Sequence, residues 1–185
     1  MRIIAGKAGR VAIQVPPAVA RPTTDFVRQA LFSILAERVL DARVLDLFAG
    51  SGAIGLEALS RGAASCVFVD DHRHAAATVR DNLAKTKLTG GRVVRSDVAA
   101  FLRHDAASYD IITADPPYWK HHGDTDHVKN LLESDLLPPR LAPGGWFVAE
   151  ASSQQTPHSA AGWHLADHRS YGGSALWFYQ KVGTA

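Results

Sequence analysis

Val44-Leu45-Asp46-Leu47-Phe48-Ala49-Gly50-Ser51-Gly52-Ala53-Ile54-Gly55-Leu56-Glu57-Ala58-Leu59 constrains the fold more than any other stretch. It reads as an apolar strand, a glycine turn and a helix with Ile54, Leu56 and Leu59 among its apolar positions. Gly50, Gly52 and Gly55 have the spacing G-x-G-x-x-G, which brings a backbone close to a nucleotide cofactor at a helix N-terminus. The spacing alone also fits a dinucleotide. Asp46 tilts the reading toward S-adenosylmethionine, because a carboxylate at that strand end suits a methionine ammonium group and gives a pyrophosphate nothing.

The rest of the chain repeats the alternation. Helices are expected over Phe26–Leu40, Ala53–Arg61, His74–Thr86, Val98–Arg103 and Val128–Leu137. Strands are expected over Arg43–Phe48, Cys66–Asp70, Arg92–Arg95, Tyr109–Asp115 and Gly145–Ala151. Such alternation implies a parallel sheet covered on both faces by helices. Trp163–Ser170 and Ala175–Val182 flank Tyr171-Gly172-Gly173-Ser174 and read as an antiparallel hairpin closing that sheet. The expected fold is therefore α/β: a Rossmann-like, seven-stranded methyltransferase sheet with a C-terminal antiparallel hairpin. Residues 1–20 form a small basic β-hairpin extension and 21–185 the catalytic domain. A chain of 185 residues, 46% hydrophobic, suffices for one such unit.

Acidic side chains recur where these strands end. Asp70 lies twenty residues after Gly50, the separation at which a carboxylate reaches a ribose hydroxyl pair. Asp71 is the neighbouring alternative. Asp97, before Val98, either accepts from an adenine amine or simply caps the next helix. Together with Asp46 and Asp115 they describe a ligand crevice along the C-terminal edge of a parallel sheet.

Asp115-Pro116-Pro117-Tyr118 closes the fourth strand. The prolines remove two backbone donors and leave carbonyls free to accept. Asp115 adds a carboxylate and Tyr118 a ring on which a base stacks. The group is suited to hold an exocyclic amine while it takes up a methyl group from a donor; the plain alternative is a proline turn ending a strand.

Net charge is +2 and unevenly spread: residues 1–30 carry +4, leaving −2 for the remainder. Arg2, Lys7 and Arg10 lie in a segment read as a hairpin with a basic tip, suited to phosphate contacts or simply solvated. Arg21, Thr23 and Arg28 are expected to face the substrate, while Thr24 or Asp25 caps the first helix. The single cysteine, Cys66, falls in an apolar strand and reads as core, excluding an internal disulfide. His121, His122, Asp124, Asp126 and His127 lack the spacing of a metal-ligand set and read as a loop beside Tyr118. No transmembrane stretch or signal peptide is evident, so cytoplasm is the default compartment.

Arg2-Ile3-Ile4-x-Gly6, Arg21-Pro22-Thr23-Thr24-Asp25, the Asp46–Arg61 glycine motif, Asp115–Tyr118 and Tyr171-Gly172 together resemble the bacterial small-subunit ribosomal RNA guanine-N2 methyltransferase D family. The resemblance runs from Arg2 to Lys181. It implies S-adenosylmethionine as cofactor, held by Asp46, Phe48, Gly50, Ser51, Gly52, Asp70 or Asp71, Asp97 and Val98. It implies a guanine held by Asp115, Pro116, Pro117 and Tyr118, with 16S rRNA of an assembled or partly assembled small subunit as partner. A monomer without metal is expected. Asp71 and His72 follow Asp70 where the family has a glutamate and then, two residues on, an acidic or amide group. Tyr118 stands in place of phenylalanine.

Two other classes share parts of this pattern. DNA adenine-N6 methyltransferases carry the same motifs but usually a separate recognition domain, for which this chain has little room. A non-catalytic RNA-binding assembly factor would not need Asp115–Tyr118.

Overall fold

The computed structural model describes residues 1–16, 24–117 and 124–183. Seven strands form one sheet: β1 Arg43–Leu47, β2 Ser65–Asp70, β3 Gly91–Arg95, β4 Tyr109–Ala114, β5 Leu141–Ser152, β6 Trp163–Tyr171 and β7 Ser174–Lys181. Their spatial order is β3-β2-β1-β4-β5-β7-β6. The first five run parallel, and β7 is antiparallel to both β5 and β6. The order reverses at β1, which lies between β2 and β4, so the crevice opens beyond the ends of β1 and β4.

The helices are α1 Asp25–Leu35, α2 Ala53–Ser60, α3 Arg73–Thr86, α4 Val98–His104 and α5 His127–Glu133. One apolar layer packs α1, α2 and α3 against Val44, Phe68, Ile111, Val148 and Phe178. The other packs α4 and α5 against Leu45, Leu47, Ile112, Phe147 and Trp177. Alternate residues of the same strands serve opposite layers, as the pleat requires.

Several boundaries differ from the sequence expectation for local reasons. Thr24 caps α1 through Val27 N–H, and a 3₁₀ turn over Ala36–Val39 replaces the expected last helical turn. The fifth helix stops at Glu133 because Ser134 turns extended and its hydroxyl donates to the Leu131 carbonyl. A 3₁₀ turn over Pro138–Arg140 then leads directly into β5.

The amino-terminal hairpin is short and irregular: beside the antiparallel Arg2–Ala12 bridge, Ile3 N–H donates to the Val11 carbonyl, Arg10 N–H to the Ile3 carbonyl and Ile13 N–H to the Met1 carbonyl. Residues toward its tip are bound to α2. Ile4 N–H and Ala5 N–H donate to the Glu57 carboxylate at 2.7 and 3.0 Å. Lys7 N–H donates to the Ser60 carbonyl, and Ala8 N–H to its hydroxyl. Gly6, at φ +80°, passes so close that a Cβ would lie 1.9 Å from the Ser60 carbonyl oxygen. Ile3, Ala8 and Ile13 join the core beside α1 and α2.

Glu57, fully buried, thus satisfies two backbone donors and Arg61 Nε. Glu57→Ala strands all three and is expected to cost about 3 kcal/mol, read as a lower denaturant midpoint. An unchanged midpoint would contradict this account of the clasp.

Candidate active site

The crevice is organised around one buried carboxylate. Asp46, 2% exposed, accepts the Gly55 N–H at 3.1 Å on one oxygen and the Thr113 hydroxyl at 2.9 Å on the other. It ties the glycine loop and α2 to β4 two residues before Asp115. Burial, opposed by these two hydrogen bonds, pushes its carboxyl up to about 7, and the nearby Asp70 raises it further. Both carboxylate oxygens are engaged internally, so Asp46 has a structural role at the crevice edge.

The glycines divide their work. Gly50 and Gly52 adopt φ +54° and +76° in the turn, where a side chain would strain the backbone. Gly55 serves packing: a Cβ there would lie 2.3 Å from the Phe68 ring and 2.6 Å from the Cys66 sulfur. Cys66 is buried as expected, and burial followed by the Asp46 charge raises its thiol pKa. Phe48 holds φ +57° as the chain leaves β1, a conformation costly for a residue with a side chain. Its ring meets that of His127 at 5.1 Å. Ser51 is nearly buried, and its carbonyl accepts from Asn82 Nδ2.

Asp70 turns toward the loop, accepting Gly50 N–H and His72 N–H, each at 2.8 Å. Asp71 is exposed beyond the strand. Asp97 caps α4 through Ala100 N–H at 2.9 Å, and the Val98 side chain packs in the apolar layer with Phe101 and Leu102. For Asp97 the capping alternative is thus realised, and for Val98 the side chain belongs to the core.

Asp115 is half-buried, and its N–H extends the β1–β4 pairing to the Leu47 carbonyl. Pro116 is buried and Pro117 exposed. The structure therefore brings the glycine loop, Asp70 and the Asp115-Pro116-Pro117 turn to one edge of the sheet. Tyr118, Arg21 and Thr23 lie outside the described residues, as do His121 and His122.

A family model described as conserved hypothetical protein 95 matches the chain over residues 1–180. The chain belongs to that family. It is 36% identical over 189 residues to ribosomal RNA small subunit methyltransferase D of Escherichia coli K12, spanning 98% of this chain and 90% of that protein. The protein of the same name in Haemophilus influenzae is 28% identical, spanning 98% of this chain and 94% of its own length. Among solved structures, a hypothetical protein of Thermus thermophilus superposes with a TM-score of 0.81 at 34% identity, covering 96% and 98% of the two chains. TrmN from Thermus thermophilus gives a TM-score of 0.67 at 26% identity, covering 89% of this chain and 51% of its own.

Within this family fold, the expected basic contacts separate. Arg28 is completely buried; one of its nitrogens donates to the Arg2 carbonyl and to Asp25, each at 2.7 Å. Desolvation lowers its pKa despite the charges of Asp25 and Glu57. It organises the amino terminus and is not presented to a substrate. Arg2, Lys7 and Arg10 are exposed. The Lys7 backbone is seated at the Ser60 end of α2, the end remote from the glycine loop.

Sequence reasoning missed the wall beside the proline turn. A cleft of about 220 Å³, counting space open to solvent, is lined by Pro116, Pro117, His127, Glu150, Gln155 and Trp177 among others. Asp126 caps α5 through Lys129 N–H and lies 2.9 Å from His158 Nε2. Glu150 had a legible signal, being one more acid at the end of a parallel strand. Trp177 had none, since its position opposite Ala149 depends on strand pairing.

The raised Asp46 carboxyl carries a pH dependence. The folded state keeps its proton from the ordinary 3.8 up to about 7, while the unfolded chain has already released it. Stability from this group is therefore full below about pH 4 and lost as pH rises toward 7, on the order of 4 kcal/mol. Asp46→Asn should flatten that slope, so melting at pH 5 and pH 8 should favour the wild type less at the higher pH. Parallel melting profiles for the two proteins would contradict the assignment.

Proposed function

We propose that this chain transfers a methyl group from S-adenosylmethionine to the exocyclic N2 amine of a guanine in 16S rRNA of the small ribosomal subunit. The observation carrying the reading is the placement of Asp115-Pro116-Pro117 at the end of β4, beside the glycine loop after β1, with Asp46 bonded to Gly55 in the helix after that loop and to Thr113 in β4. The names of the full-length relatives support rRNA as substrate.

The residues present suit the cofactor. Gly52 heads α2 without a side-chain cap, leaving backbone donors there for a carboxylate. Asp70, which faces the loop through Gly50, fits a ribose hydroxyl pair better than the outlying Asp71. Phe48, Ser51 and the β3–α4 turn at Asp97 complete that side of the crevice. When bound, the cofactor supplies a sulfonium-activated methyl group.

The protein's contribution is orientation. The Asp115 carboxylate and the Pro116 carbonyl accept the two amine hydrogens and turn the nitrogen toward the methyl. As the carbon–nitrogen bond forms and the carbon–sulfur bond breaks, the amine gives up one proton. Tyr118 stacks on the base, which is taken out of its own stack to reach the turn. Arg2, Arg10, Arg21 and Thr23 approach rRNA phosphates near the first helix. Lys7, on the residue 1–20 extension, does so away from the crevice.

Two measurements test this. Tritiated-methyl transfer to 30S subunits from a strain lacking the gene should place label in N2-methylguanosine. Label in N6-methyladenine with DNA alone would replace the proposed activity. In the same assay, Asp115→Ala should lower transfer about 100-fold or more while cofactor affinity by calorimetry stays within about twofold. Retained turnover would remove Asp115 from the reaction.

A further inference from the structure

α1 buries Val27, Leu31, Phe32 and Leu35 in the apolar layer it shares with the sheet. Phe26 stands outside that stripe and is 65% exposed. One exposed phenylalanine is ordinary in a folded protein. This one has a partner: its ring meets that of Tyr171 edge to face, with centroids 5.6 Å apart at 81°. A ring left in water contributes little to the core, so the fold gives no account of Phe26.

Strand register places the pair on the edge that carries the Asp115 turn. β5 and β7 are antiparallel with Ser152 opposite Ser174, so the turn from Tyr171 to Ser174 lies beyond the carboxyl end of β5. Ser153 N–H donates to the Gly173 carbonyl and ties the turn there. β5 in turn pairs Ala149 with Ala114, the residue before Asp115. In the order β4-β5-β7-β6, Tyr171 stands three strand spacings from Asp115, about 14 Å. A guanine held at Asp115 does not reach that far, but the nucleotides beside it do.

Cations border the rings. Arg169 pairs with Leu176, whose side chain lies in the α1 layer, and the two-residue period puts Arg169 on the same face of β6 as Tyr171. It is exposed, with Nε 3.1 Å from each Asp167 carboxylate oxygen. Arg2 is exposed beside Asp25, the residue before Phe26, with Nε 3.8 Å from that carboxylate. Exposed ion pairs of this kind are weak and exchange readily for phosphate. Aromatic faces interleaved with cations suit unpaired nucleotides, whose bases stack on the rings while the backbone meets the charges.

We propose that Phe26 and Tyr171 form a stacking platform for an unpaired rRNA nucleotide close to the methylated guanine. The inference rests on the rRNA reading above and adds a second docking point to it. A base drawn out of its stack leaves its neighbours without a partner, and the platform replaces the stacking they lose. Because every base has a π-face, the contact supplies affinity and leaves the choice of target to the proline turn.

The test compares variants of the full chain on 30S subunits lacking the modification. Phe26→Ala should raise KM for the subunits about tenfold, with kcat and cofactor affinity unchanged. Phe26→Leu keeps apolar bulk without a π-face and should behave like Phe26→Ala, whereas Phe26→Trp should restore the wild-type KM. Each variant should melt within about 2 °C of wild type, because the side chain is largely exposed. A wild-type KM in Phe26→Ala or in Phe26→Leu would overturn the platform. With benzoylphenylalanine in place of Phe26, irradiation should crosslink the protein to rRNA close to the target nucleotide. A crosslink to a ribosomal protein instead would give the surface a protein partner and overturn the proposal. Wild-type protein that transfers no methyl group to the subunits overturns the rRNA reading itself, so the two failures are separable.

Discussion

A single buried carboxylate holds the catalytic edge together. Asp46 belongs to β1, yet its two oxygens are engaged by α2, through Gly55 N–H, and by β4, through Thr113. A buried acid is costly unless its lone pairs are used, and here both oxygens are. The helix behind the glycine loop and the strand delivering Asp115 therefore share one anchor. Displacing either would leave a polar group stranded in the interior.

Around that anchor, strain and satisfaction are distributed unevenly. Phe48 leaves β1 at positive φ, and the loop that follows is closed by Asp70 accepting Gly50 N–H. Further down α2, Glu57 and Ser60 bind the amino-terminal backbone, and Arg28 satisfies the Arg2 carbonyl from within. The helix is thus held at its start by the sheet and at its end by the amino terminus. The loop between can stay strained because both flanks are fixed.

Electrostatics follow the same geometry. The acids that looked equivalent at strand ends have different environments. Asp46 is buried and its carboxyl raised, Asp70 is bound to the loop, Asp97 caps a helix, and Asp115 stands half-buried at the turn. The cations that looked equivalent near the start also part ways, Arg28 into the core and Lys7 to the far end of α2.

The alternation of apolar periods, the glycine spacing, the acids at strand ends and the Asp115-Pro116-Pro117-Tyr118 run were enough to determine the fold class, the family resemblance and the edge of the sheet where a ligand binds. These are local properties: period, backbone freedom and side-chain chemistry travel with the chain. Tertiary structure alone decided the separate environments of these acids. It also decided that Gly55 exists for packing against Phe68 and Cys66, and that the short hairpin of residues 2–12 clasps α2. Only strand register could set Trp177 opposite Ala149 and Glu150 at the level of Asp115, because pairing brings together residues that no sequence period relates.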